Sequence, residues 1–290
     1  MHPDFLIIGA QKAGTTSLYE TLRSHRHVFM PPEKELQFFS QNKNFKKGWT
    51  HYEHAFRNKL LGQVCGEASP HYLCQRVAAE RILKHCRNTK LIVILRDPVE
   101  RAFSHYRMTK RRGRTTESFD QAANRLLKKP YACHDAPDMD FDYLLLGEYA
   151  RMLMWYEYFF TNELIHVMFL DDFRKKQYET ILKLLKFLEL NHDGLGRIGI
   201  HAHRGGEARF PRIDQTIRSN RLIKIISRIV FSPQQRRAFM YWFDTRFNVK
   251  PARTEPFAQE MRQALRHYFS DDTRHLQKLI SRRIPWDGYN

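Results

Sequence analysis

The sequence predicts an α/β layered domain, a mainly parallel sheet flanked by helices with a helical carboxy-terminal extension. Three observations carry that reading. Leu91, Ile92, Val93, Ile94 and Leu95 are apolar in unbroken succession, as in a strand buried on both faces. Short apolar runs alternate with helical spacing through the first half of the chain, the pattern of strands joined by crossover helices. Residues 5–8 form a compact apolar run closed by Gly9, followed by a glycine-containing turn and a helix.

Taken in order, residues 15–25 carry Leu18 and Leu22 four apart on one helical face. Residues 64–67 read as a weaker strand. Residues 76–86 are helical, with Val77, Ile82 and Leu83 facing inward. Pro98 suits the first turn of a helix after the buried strand. A basic, loop-like stretch leads to a helix over 117–128 and a polar loop through Pro137. A further helix over 148–160 leads into a strand over 165–170. Residues 175–188 place Ile181, Leu184, Leu185 and Leu188 at helical spacing. Gly194, Gly196, Gly205 and Gly206 mark a loop region without clear strands. Residues 233–246, 256–268 and 271–283 read as helices. With no repeat and no linker, residues 1–290 are expected to form one domain.

Composition narrows the class. Hydrophobic residues make up 42% and charged residues 28%, which argues against disorder. Forty-nine Lys and Arg against 31 Asp and Glu leave a formal charge of +18, favouring anionic partners. The same excess also serves as a solvated surface that keeps a protein soluble. The four cysteines show no metal or disulfide spacing, and Cys65 and Cys86 sit in apolar contexts. A reducing, cytoplasmic setting is expected. No stretch approaches the ~18 apolar residues of a membrane span, and the amino terminus lacks a signal-peptide pattern.

The chemistry concentrates in Gly9-Ala10-Gln11-Lys12-Ala13-Gly14-Thr15-Thr16-Ser17. A glycine-bearing loop between a strand and a helix is where oxyanions bind, because helix-start amides point outward with the positive end of the dipole. Gly9 and Gly14 keep the spacing of a nucleoside triphosphatase P-loop, so the domain is P-loop-like. Thr15, however, stands at the usual lysine position, and the lysine is Lys12, inside the loop. The buried strand ends in Arg96 rather than a metal-binding acid, which suits a further phosphate better than magnesium. No bound metal is expected. A structural strand-turn-helix with an incidental lysine is the plain alternative.

Two segments resemble one known family. FLIIGAQKAGTTSL, residues 5–18, is similar to the 5′-phosphosulfate loop of sulfotransferases that use 3′-phosphoadenosine 5′-phosphosulfate (PAPS). LIVILRDPVERAFSHY, residues 91–106, is similar to their 3′-phosphate segment. Between them, PEKELQFF, residues 32–39, resembles the KExxFF stretch of the heparan-sulfate-type branch. The resemblance implies transfer of a sulfuryl group from PAPS to a hydroxyl or amine, leaving adenosine 3′,5′-bisphosphate (PAP). It implies that Lys12 contacts the departing phosphate oxygen, that Lys12, Ala13, Gly14, Thr15, Thr16 and Ser17 cradle the 5′-phosphosulfate, and that Arg96 and Ser104 hold the 3′-phosphate. Glu35 matches the branch's general base, while His71, following Gly66-Glu67-Ala68-Ser69-Pro70, leads His51, His54 and His105 as the alternative. Arg204 and Gly205 correspond to a loop closing over the nucleotide. Phe38 and Phe39 are expected to pack in the core and fix the Glu35 loop, with core packing also expected for Trp49, Tyr52, Phe56 and Tyr72.

This sequence departs from the heparan-sulfate pattern at Ala68, where those enzymes carry a lysine, and at Gln37, where some carry histidine. It also lacks their late cysteine pair. The run Lys110-Arg111-Arg112-Gly113-Arg114 is either part of an acceptor cleft for an anionic glycan or a solvated face. Two rival functions stand beside transfer: a magnesium-dependent P-loop nucleotide kinase, and a basic nucleic-acid-binding protein. No nucleic-acid-binding motif supports the second.

Overall fold

The computed structural model describes residues 2–128, 137–196 and 257–289, with short stretches between 206 and 251. Its centre is a parallel sheet. Strand β1 (Phe5–Gly9) lies between β3 (Val64–Ala68) and β4 (Lys90–Leu95), with β2 (Val28–Phe29) outside β3 and β5 (Ile165–Phe169) outside β4. Side chains alternate across it. Leu6, Ile8, Leu91, Val93 and Leu95 enter one apolar cluster, while Phe5, Ile7, Ile92 and Ile94 enter the other. Both faces are therefore covered, which is why β1 and β4 lack polar alternation.

β3 looks weak in sequence because two of its five residues answer to neighbours rather than to strand preference. A Cβ at Gly66 would meet the Phe5 ring at 2.3 Å, and Glu67 is a buried carboxylate. β2 spans only two residues, too few for any periodicity to mark it.

Helix α1 (Thr15–Arg23) buries Leu18 and Leu22, as their spacing predicts. It begins at Gly14, whose backbone is left-handed (φ 99°) and which makes no side-chain cap. A Cβ there would lie 2.7 Å from Leu170 Cδ1, so close packing also demands glycine. Short helices α2 (Asn42–Phe45) and α3 (Trp49–Glu53) follow, each too brief to show a helical repeat in sequence. Helix α4 (Arg76–His85) buries Ile82 and packs half-buried Leu83 against the core, as predicted, but Val77 is exposed. Ala78 and Ala79 complete the inward face in its place, so side-chain bulk misled the reading at Val77.

The basic stretch is helical rather than loop-like up to Arg111, because α5 (Pro98–Arg111) continues into it. Asp97 caps this helix, accepting from Glu100 N–H at 2.9 Å, a contact worth about 1 kcal/mol. Helix α6 (Phe119–Leu127) starts with a capping box between Ser118 and Gln121. Next come α7 (Tyr149–Phe159), α8 (Leu170–Lys175) and α9 (Gln177–Phe187), so the helix predicted over 175–188 starts two residues later and buries Ile181, Leu184, Leu185 and Leu188.

The late glycine region does contain strands: β6 (Gly206–Ala208) pairs antiparallel with β7 (Val249–Pro251). A three-residue backbone ladder needs no apolar run, so no pattern announced it. The helix predicted over 233–246 lies largely outside the described residues. The helices predicted over 256–268 and 271–283 are one, α10 (Gln259–Leu279). Neither Gly nor Pro interrupts it, and Met261, Leu265, Phe269, Thr273 and Leu276 keep one buried stripe. Asp272, in its interior, caps α7 instead, accepting from Ala150 and Arg151 N–H at 3.1 Å each. Beyond α10, Trp286 Nε1 donates to Asp171 at 3.1 Å and Tyr289 OH donates to Asp97 at 2.9 Å.

Two expectations test this packing. Gly14→Ala should cost about 1–3 kcal/mol in chemical denaturation, from backbone strain plus the Leu170 contact. Gly113→Ala, with φ 67° but open space around its would-be Cβ, should lose only the backbone part. Equal losses would remove the Leu170 contact from the account. Burial raises the Asp272 carboxyl from 3.8 to about 6. Its contribution to stability is thus fullest below the unfolded value and is lost as pH rises through about 6. Melting curves should show wild type gaining on Asp272→Asn as pH falls from 7 to 4; parallel profiles would show that Asp272 does not titrate there.

Candidate functional site

Strands of a parallel sheet end at one edge, and here the strand order turns about β1 and β4. The crevice beyond their carboxyl ends is the usual ligand position in such sheets. The loop after β1 crosses it: Ala10 N–H donates to Ile94 O at 2.8 Å. Lys12 follows with φ 69°, half-buried. Arg96, just past β4, donates from Nη1 to Lys12 O at 3.5 Å, so its guanidinium reaches the backbone of the Lys12 loop. Arg96 is further placed by Glu100, 3.5 Å away, and by Tyr149 OH, which donates to the Arg96 carbonyl at 2.8 Å. Glu100 in turn holds Arg262 of α10 at 2.7 Å.

Burial, followed by the charges of Arg111, Arg112, Arg96 and Arg101, pulls the Lys12 ammonium down to about 8. Burial lowers Arg96 as well, with Glu100 working in the opposite direction. The α1 amino terminus, capped by Gly14 alone, opens onto this group of cations. Thr15 and Ser17 are buried in its first turn, Thr16 is half-buried, and Ala13 is buried just before it. Helix-start amides, a lysine and an arginine together form a receptor for oxyanions.

Glu35 and His71 come to the same side. Glu35 N–H donates to Ala68 O at 3.1 Å, hanging its segment on the end of β3. Its carboxylate, 41% accessible, pairs with Lys34 Nζ at 2.7 Å. Burial alone would raise it, but Lys34, with His71 and Arg112 in support, holds it below the ordinary range. His71 Nε2 lies 3.1 Å from Gln11 Nε2, so the neighbour of Lys12 occupies that ring nitrogen. Burial lowers His71, Glu35 pulling it up and Lys34 and Arg112 pushing it down.

Other predicted residues fare differently. Ser104 is half-buried on α5, two turns past Arg96. Arg204 and Gly205 lie outside the described residues. His51 and His54 are exposed, and His105 is buried against Met139 O at 3.0 Å and pushed down to about 2. Phe38 stacks on Tyr52 at 4.5 Å and Phe39 packs edge-on to Tyr72, as core residues. Tyr52, Phe56 and Tyr72 are buried and Trp49 packs against them, in line with the sequence.

Sequence reasoning missed Gln11, and it missed Arg101, which is fully buried on α5, donates to Tyr143 O and has no partner for Nε and Nη1 among the described residues. Its helical phase with Ala102 and His105 was the available signal. It also left open whether Arg111 and Arg112 belong to the site, where their charges reach Lys12. A cavity lined by His166, Asp172, Lys176, Lys183 and Arg282 lies along β5 and holds none of the predicted site residues. Among the described residues no group of three or more His, Cys, Asp or Glu is placed to hold a metal, and no helix is long and apolar enough to cross a membrane.

Comparison with known proteins gives this geometry a lineage. Heparan sulfate glucosamine 3-O-sulfotransferase 3B1 of Mus musculus is 32% identical over 166 residues, 57% of this chain and 40% of that protein. Heparan sulfate glucosamine 3-O-sulfotransferase 6 of Homo sapiens is 34% identical over 173 residues, 59% of this chain and 47% of its own. The chain thus spans less than half the length of these relatives. A solved sulfotransferase from Alicyclobacillus acidocaldarius shares the fold, with a TM-score of 0.69 across 98% of both chains at 22% identity. The family model for the sulfotransferase domain matches residues 2–203, including the Lys12 loop, the Glu35 segment and Arg96, and the chain therefore belongs to the sulfotransferase family.

Proposed function

We propose that this protein transfers a sulfuryl group from PAPS to a hydroxyl or amine of an acceptor. The observation that carries the reading is the reach of the Arg96 guanidinium to the Lys12 loop at a glycine-capped helix start. The residues fit the nucleotide: two cations flank a helix terminus left open by Gly14, giving anion receptors for phosphate groups on either side of a nucleoside. PAPS supplies an activated sulfuryl group on a phosphate leaving group. Thr15, Thr16, Ser17 and the loop amides cradle that end, and Arg96 with Ser104 receives the 3′-phosphate. Arg204 and Gly205 are assigned to the same nucleotide by resemblance alone.

Lys12, in its protonated form below about pH 8, neutralises charge on the departing oxygen in a preorganised site. Glu35 takes the acceptor proton. It is favoured over His71 because its carboxylate is held ionised, whereas His71 has Nε2 engaged by Gln11. The charges of Arg111 and Arg112 beside the site, and the relatives named for heparan sulfate, support an anionic glycan as acceptor. By resemblance alone, Ala68 stands where the heparan-sulfate pattern has lysine, and its acceptor contacts would differ from that pattern there. The buried free thiols Cys65, Cys74 and Cys86 support a cytoplasmic setting.

Calorimetric titration should show PAP binding without metal, weakened at least tenfold by Arg96→Ala, with AMP affected far less. Equal losses for PAP and AMP would take the 3′-phosphate away from Arg96, and preference for ATP with magnesium would restore the kinase reading. With heparan sulfate as acceptor, Lys12→Ala should lower turnover a hundredfold or more. In the wild type kcat/KM for PAPS, which reports the unliganded enzyme, should fall as pH rises through about 8, where Lys12 loses its proton. A rate still climbing past pH 9 would remove Lys12 from leaving-group stabilisation.

A further inference from the structure

Glu67 is 1% exposed at the end of β3, and among the described residues its hydrogen-bond partners are all neutral. Tyr72 OH donates to it at 2.6 Å, Ser69 Oγ at 2.8 Å and Tyr52 OH at 3.1 Å, and the Leu36 amide donates as well. Burial raises this carboxyl, and these four donors oppose the rise.

Two of the hydroxyls have a second task. Once Ser69 Oγ gives its hydrogen to Glu67, its lone pairs are left for Gln37 N–H, 3.0 Å away. Tyr72 OH does the same for Phe38 N–H, also at 3.0 Å. With Glu35 N–H on Ala68 O, four successive amides, 35 to 38, are fixed, three of them by Glu67 or through its hydroxyls. The backbone they hold is one that side-chain-bearing residues resist, with φ 64° at Glu35 and 49° at Gln37. A buried acceptor-only group is what keeps both hydroxyls pointing the same way.

We propose that Glu67 is the positioning residue of the site: as a buried carboxylate it orients Ser69 and Tyr72 as acceptors and so holds the backbone that presents Glu35. This rests on the reading of Glu35 as the base. Glu67→Gln is the sharp test, because it keeps the shape but adds two N–H donors to a cage of donors, so a hydroxyl must turn round.

Hydrogen exchange on the unliganded protein should show amides 35–38 exchanging at least tenfold faster in Glu67→Gln, with β1, β4 and α5 unchanged. PAP affinity should stay within about twofold of wild type. A carboxyl NMR titration, with the Glu35 resonance assigned from Glu35→Gln, should show its midpoint moving up toward the ordinary glutamate value as Lys34 and His71 lose register with it. Unchanged exchange at 35–38, or acceleration spread across the whole sheet, would overturn the proposal by leaving Glu67 a fold-wide support at most. Should Glu67→Gln not fold, Tyr72→Phe deletes one relay and must speed exchange at Phe38 alone of the four amides; no change there overturns it equally. The base reading is tested apart, by the turnover of Glu35→Gln with heparan sulfate. That variant leaves Glu67 and its hydroxyls intact, so an unchanged rate with accelerated exchange in Glu67→Gln would fault the base and spare the positioning.

Discussion

The parallel placement of β1 between β3 and β4 is the constraint on which the site depends. Parallel strands finish at a common edge, so the chain must leave β1, β3 and β4 through three adjacent loops. The first carries Lys12, the second His71 and the third Arg96. Leu6 stands in register with Glu67 on one side and Leu91 on the other, so a slip by one residue would turn every side chain of β1 to the wrong face. Two apolar clusters, one on each face, hold that register. The crevice is thereby fixed by hydrophobic packing that takes no part in the chemistry.

What the packing gathers is charge of one sign. Lys12, Arg96 and Arg101 share a partly dry region with Arg111 and Arg112 close by; the four arginines weaken the hold of Lys12 on its proton, and Arg96 weakens that of Arg101. Without an anion such a group opposes folding; with one it becomes the source of affinity. Glu100, shared between Arg96 and Arg262, offsets part of the repulsion. Arg101 is fully buried, and two of its nitrogens have no partner among the described residues. Concentrating cations before the ligand arrives fits the proposed site, which would bind phosphates and stabilise the negative charge that develops on one of them.

Much of this was legible from the residues. The glycine loop, the buried strand and its terminal arginine are local patterns, and local patterns survive in sequence. Their order along the chain led to the family that the domain match places this protein in. The gaps share one physical origin. Gln11 reaches His71 across 60 positions, and no periodicity encodes such a pairing. Arg101 was passed over in the sequence because arginine is rarely buried whole. The break expected near Asp271 fails because Asp272 caps a different helix, a role visible only once α7 and α10 are packed. The twisted backbone at Glu35 and Gln37 is likewise imposed from β3, not by their own preferences.

The bond from Tyr289 to Asp97 joins residues 192 positions apart. Its consequence lies in the order of synthesis. The five parallel strands are complete by Phe169, so the sheet can assemble while the rest of the chain is still being made. Asp97 can cap α5 at that stage, since Glu100 is three residues away. Tyr289 and Trp286 arrive after the sheet, reaching back to Asp97 just past β4 and to Asp171 just past the edge strand β5. The nascent protein would thus have its anion-binding edge laid out before the carboxy-terminal segment closes behind it, and the longest-range contacts would be the final ones to form.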